Sequence, residues 1–109
     1  MQHHAMKPVE FIGSCKKDLR SFPQAARLEA GFQIETLQRG GVPEDWKPMP
    51  SVGAGVYEIR VGCEEGAFRV FYVVNRDDAI YLLHAFQKTT QKTEKRDIDL
   101  GKTRYKSLG

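Results

Sequence analysis

Two neighbouring runs, Ala67–Asn75 and Ala79–Gln87, constrain this chain more than anything else in it. Each is apolar almost from end to end, interrupted inside only by Arg69 in the first and His84 in the second. Their lengths suit β-strands, and a strand that is apolar on both sides has to be covered on both sides. The chain must therefore place a sheet at its centre and lay something over each face. With 109 residues it is long enough to do so as one domain with a real core.

The rest of the sequence supplies the covering layers. Val56 to Gly62 alternates, with Tyr57, Ile59 and Val61 on one face and Glu58 and Arg60 on the other, so it reads as a third strand. Glu64-Glu65-Gly66 and Arg76-Asp77-Asp78 make the turns of an antiparallel meander. Upstream, Lys7 to Gly13 reads as a short strand. Ser14 is placed to cap a helix whose face carries Cys15, Leu19 and Phe22. Pro23 ends that helix and opens a second, which runs to Arg39 and stops at Gly40-Gly41. The second helix has two apolar stripes, Ala25, Leu28 and Phe32 on one side and Ala30, Ile34 and Leu37 on the other. One stripe suits the sheet, and the other suits the first helix or a partner protein. Val42 to Gly55 reads as a long loop with Trp46 as an anchor onto the core. A last helix is expected over Glu94–Lys106, with Ile98, Leu100, Tyr105 and Leu108 as its apolar residues. The expected class is α+β, in the order strand, helix, helix, three-stranded antiparallel meander, helix, with the helical hairpin on one face and the last helix on the other.

Residues 1–6 (Met1-Gln2-His3-His4-Ala5-Met6) look like a leader and stand outside the expected domain at 7–109. His84 is then the only histidine in the domain, which excludes a histidine-built zinc site, and no cofactor motif is present. Cys15 and Cys63 lack the spacing of metal ligands or of a disulfide framework and read as small apolar residues. No apolar run approaches the roughly 20 residues of a membrane span, and no signal peptide is visible, so the expected location is the cytoplasm. Charge is unevenly placed. From Lys88 onward, seven Lys or Arg face three acids, a net +4, which leaves −1 for the rest of the chain. A basic segment of this kind suits a polyanion or an acidic partner, or is simply a solvated helix face.

Four segments carry a family resemblance: Val56-Tyr57-Glu58-Ile59-Arg60, Phe68-Arg69-Val70-Phe71-Tyr72, Ile80 to Lys88, and Thr89-Thr90-Gln91-Lys92-Thr93. The run LLHAFQKTTQKT, within the last two, is the specific part. With the order of elements, the chain resembles the RelE/ParE toxin superfamily in its HigB-like, phage-derived branch, over about residues 7 to 106. It departs from that branch at Thr89, where a second lysine is common, and at Glu94, where proline is common.

The resemblance implies the toxin of a type II toxin–antitoxin pair, an endoribonuclease that cuts mRNA on the ribosome, with a helix-turn-helix (HigA-like) antitoxin as partner. The alternatives are a ParE-like inhibitor of DNA gyrase without nuclease activity and an inactive toxin-like binding protein; fold alone does not separate them. RNA cleavage without a metal needs a base for the 2′-hydroxyl, cations for the charge that builds on the phosphorus, and an acid for the leaving 5′-oxygen.

Arg60 and Arg69 suit the cationic role. Arg69 interrupts an apolar strand, where a charge is costly unless paired or used, and an ion pair to Glu58 is the competing explanation. Removing Arg69 from an otherwise apolar strand takes away a charge rather than a packing element, so stability is expected to change little, and even to rise if Arg69 is only half paired. The resemblance places a further catalytic cation at Lys88, with Lys92 in the loop beyond. His84, on the parity of Leu82, Phe86 and Lys88, is either a proton carrier or a hydrogen-bonded core residue. Glu58 is the other candidate base. Lys47, Tyr72, Lys92, Lys95 and Arg96 complete the set as RNA-binding candidates.

Overall fold

The computed structural model describes residues 6–74 and 78–109. The expected leader apart from Met6, and the first two residues of the turn expected at Arg76-Asp77-Asp78, lie outside the described residues. The elements are β1 (Val9–Phe11), α1 (Cys15–Arg20), α2 (Gln24–Gln38), β2 (Trp46–Pro48), β3 (Val56–Cys63), β4 (Gly66–Val73), β5 (Ile80–Lys88) and α3 (Lys95–Lys106). They form one five-stranded sheet in the order β1-β5-β4-β3-β2.

The antiparallel meander is as expected and holds the centre: β3 pairs with β4 from Val56↔Val73 to Cys63↔Gly66, and β4 pairs with β5. Two features depart from the sequence reading. β1 is shorter than Lys7–Gly13 and joins the sheet parallel to β5, in register Val9↔Ile80 to Phe11↔Leu82. The expected loop at 42–55 contains β2, which pairs antiparallel with β3 through Trp46↔Ile59, Lys47↔Glu58 and Pro48↔Tyr57. Three residues with a proline at the end give no alternation to read, so the pairing is set by β3.

Both faces are covered, as the apolar strands require. On one, Cys15, Phe22, Ala26, Ala30, Ile34 and Leu37 of the helical hairpin meet Ile59, Val61, Phe68, Val70 and Leu82. On the other, Ile98, Tyr105 and Leu108 of α3 close over Phe71, Val73, Leu83 and Phe86, with Met49 and Val52 from the loop after β2. Gly101 lets α3 approach: a Cβ there would come within 2.9 Å of the Phe71 ring and 3.0 Å of Val52. No helix among the described residues is long and apolar enough to cross a membrane.

α2 is buried on one side only. Ala30, Ile34 and Leu37 face the sheet, while Leu28 and Phe32 of the second stripe remain 62% and 64% exposed. α1 does not cover that stripe because it packs on β5 instead. The helix ends as its glycines dictate: Gly40, at φ +86°, donates to Leu37 O and Gly41 donates to Thr36 O. At the start of α1, Ser14 occupies the cap position without making a cap hydrogen bond; its hydroxyl donates to Asp18 Oδ2 (2.7 Å) and accepts from Arg104.

A bulge in β5 re-aims its side chains. Tyr72 lies opposite Leu82 and Phe71 opposite His84, which leaves Leu83 as the extra residue. The expected shared parity of Leu82 and His84 is therefore wrong. Leu82 packs under the helical hairpin, whereas His84 stacks on Phe86, a member of the cluster under α3. Arg104 Nη1 donates to the Leu83 carbonyl (2.9 Å) and Nη2 to Ser14 Oγ (3.0 Å), tying α3 to the bulge and to the start of α1.

Candidate functional site

Strand alternation aligns the charged candidates on the face that α3 partly covers. Glu58 and Arg60 are two apart on β3; Lys47 lies opposite Glu58 on β2, and Arg69 lies opposite Arg60 on β4. Lys88, two beyond Phe86 on β5, extends the row beside Arg69. The result is a stripe across four strands, with Glu58 facing the charges of Arg69, Arg60, Lys47 and Lys88.

The stripe has a floor and a rim. Glu58, 3% exposed, and Arg69, 7% exposed, form the floor. Arg69 Nε stands 3.5 Å from Glu58 Oε1, an ion pair with poor hydrogen-bond geometry. Both of those atoms are buried without a hydrogen-bond partner, although Arg69 Nη1 donates to Phe68 O at 2.9 Å. Lys47 and Arg60 are exposed, and Lys88 is half-buried.

Burial dominates the electrostatics. It holds the Glu58 carboxyl above the usual carboxylate range despite the opposing pull of Arg69, Arg60, Lys47 and Lys88. It also lowers the Arg69 guanidinium, against the support of Glu58. Lys88 is lowered too, by desolvation first and then by the charges of Arg69, Arg60 and Lys47, which outweigh Glu58. A carboxylate that accepts protons more readily than usual and a lysine that releases them more readily than usual thus share one cationic stripe.

His84 belongs to a different arrangement. Its Nε2 is 2.8 Å from Asp97 Oδ1 on α3, its ring stacks on Phe86 at 4.6 Å, and Nδ1 is buried without a partner. Burial lowers its pKa despite the hydrogen bond and charge of Asp97, so the ring is neutral and donates Nε2–H to Asp97. Phe86 lies between His84 and the Lys88 end of β5. Asp97 was not legible as a partner, because nothing links residues 13 apart on a strand and a helix.

The remaining candidates are dispersed. Tyr72 is buried on the opposite face, its ring 5.8 Å from Tyr57, and burial pushes its hydroxyl up to about 12. Lys95 is paired with Asp99 (2.7 Å) and Arg96 with Glu94 (2.9 Å), both on the outside of α3. Lys92 is exposed in the loop before it. Cys15 and Cys63 are free thiols, buried and half-buried, and burial pushes Cys15 up to about 12, far from the reactive range.

Comparison with known proteins finds a family that covers most of the chain. Residues 17–106 match the family model described as phage derived protein Gp49-like (DUF891). No curated protein matches the chain.

Proposed function

The chain belongs to the Gp49-like family of phage-derived proteins, a RelE/toxin-like family, and from that premise we propose that it is the toxin of a type II toxin–antitoxin system that cuts mRNA on the ribosome. The observation that carries the nuclease reading is the stripe itself: one buried carboxylate with an unpartnered oxygen, facing Lys47, Arg60, Arg69 and Lys88. Pure solvation does not explain a buried, half-satisfied ion pair at the bottom of a cationic row. Such a row suits a phosphodiester.

In this reading the rim cations Lys47 and Arg60 hold the scissile phosphate, and Arg69 supports the charge that builds on its oxygens. Glu58, held above the ordinary carboxylate range, takes the proton of the 2′-hydroxyl. The 2′-oxygen then attacks phosphorus, and the bond to the 5′-oxygen breaks. Lys88, lowered from the ordinary lysine range, gives its proton to that leaving oxygen, leaving a cyclic phosphate and a 5′-hydroxyl. His84 is left out of the proton path because Asp97 and Phe86 hold it elsewhere. The helix-turn-helix antitoxin is proposed as the partner, and the exposed pair Leu28 and Phe32 supports a protein contact on α2.

The test is induced expression followed by primer extension across abundant messages, with plasmid supercoiling read in parallel. The expected result is new 5′ ends in mRNA that disappear in Arg60→Ala. Growth arrest with relaxed plasmid and uncut mRNA would move the protein to the gyrase-directed alternative.

A further inference from the structure

On the face opposite the stripe, at the β2 edge of the sheet, lies a cavity of about 220 Å³ that the proposed chemistry does not use. Its walls include Leu37, Pro43, Trp46, Tyr57 and Tyr72. Three of these are aromatic and in contact as a row: Trp46 meets Tyr57 edge-on at 5.5 Å, and Tyr57 meets Tyr72 at 5.8 Å. The lining is almost wholly apolar, yet Trp46 is 43% exposed on a three-residue edge strand. An exposed tryptophan beside an open aromatic cavity has the shape and chemistry to receive a flat ring.

Charge decides what kind of ring. The next residue, Lys47, points to the other face, opposite Glu58, and belongs to the cationic stripe. β2 is the outermost strand, so a chain crossing that edge meets Lys47 and then Trp46. We propose that the cavity is a nucleobase subsite, taking one unpaired base of the single-stranded RNA whose phosphates lie on Lys47 and Arg60. It rests on the ribonuclease reading and adds a second anchor to it: backbone on the cations, base on the rings. An apolar lining of this kind grips the face of a base and leaves its edge unread, so the subsite contributes affinity and register more than sequence choice.

Trp46 is the only tryptophan, so its fluorescence reports on the cavity directly. The protein is titrated with a short 2′-O-methyl oligonucleotide, which cannot be cut, and with an abasic strand of the same length and charge. Binding is followed by anisotropy of a dye on the strand. The expected result is binding of both, quenching of Trp46 by the base-bearing strand only, and an affinity loss of about tenfold in Trp46→Ala. Trp46→Phe, which keeps a ring, should restore most of that loss. Binding of both strands with equal affinity, no quenching and no effect of Trp46→Ala would overturn the subsite while leaving the ribonuclease reading intact. Absence of any binding by anisotropy would overturn the subsite, and primer extension in cells would decide the ribonuclease reading separately. If the oligonucleotide leaves Trp46 unchanged and a purified helix-turn-helix partner shifts its emission, the cavity is a protein anchor and the proposal fails.

Discussion

Replacing Arg69 by Met tests the floor of the stripe by asking what a stranded Glu58 costs. Glu58 and Arg69 are both almost fully buried, 3.5 Å apart, each with an unpartnered atom. The sequence alone suggests that losing Arg69 from an apolar strand changes stability little, or even raises it; the geometry says otherwise, because the carboxylate left behind has no water to turn to. Removing one member of a buried pair costs about 3–5 kcal/mol. That is a large part of the roughly 5–15 kcal/mol by which domains of this kind are stable.

The cost has a pH signature. Glu58 already sits above its unfolded pKa, so its proton is bound more tightly in the fold than in the unfolded chain. Stability from such a group is fully present below the unfolded value and is lost as pH rises through the folded one. Removing Arg69, the largest opposing influence, raises Glu58 further and widens that window. Chemical denaturation between pH 5 and pH 8 should therefore show Arg69→Met losing stability more steeply with rising pH than wild type. The extra loss is about 1.4 kcal/mol for every tenfold tightening of the proton on Glu58. Adding Glu58→Gln should flatten the profile and recover much of the loss. A loss that is the same at every pH, or no loss at all, would refute the account of Glu58 as a buried charge held by Arg69.

Three further outcomes follow from the packing and the polar contacts. Gly101→Ala should cost about 1–3 kcal/mol in denaturant titration, since its Cβ meets Phe71 and Val52 at the closest approach of α3. His84→Gln should leave mRNA cleavage intact. Because His84 is held neutral in the fold, wild type should lose stability as pH falls below the free histidine value of about 6.5, and the variant should lack that component. Leu28→Ser with Phe32→Ser should change stability by no more than about 0.5 kcal/mol for each exposed site, while calorimetry with the proposed antitoxin should show weakened binding.

What could be read from the sequence was whatever repeats along one element. The meander, the hairpin of helices and the stop at Gly40-Gly41 follow from period and turn chemistry, and so does the shared face of Glu58 and Arg60. The stripe required more. Lys47 joins it through a strand too short to announce itself, and Lys88 and Arg69 meet only through register. The bulge at Leu83 was invisible because an apolar run has no parity to break. His84 shares the face of Phe86 and Lys88, as its parity says, and only the fold shows it bound to Asp97. Arg104 was read as one more basic residue of the C-terminal segment, whereas it holds the bulge and α1 together.

The parallel strand at the sheet edge sets an order of assembly. Among the described residues β1 pairs only with β5, and α1 packs mainly on β5, more than sixty residues downstream. During synthesis β1 and α1 emerge before β5 and therefore wait while α2 and the meander are made, and dock only once Ile80–Lys88 is free to receive them. Closing so long a loop costs entropy before any contact returns it, which favours β3, β4 and β5 as the nucleus and the N-terminal elements as latecomers. A nascent chain halted before Ile80 would carry Glu58, Arg60 and Arg69 without Lys88 and without the strand that seats α1.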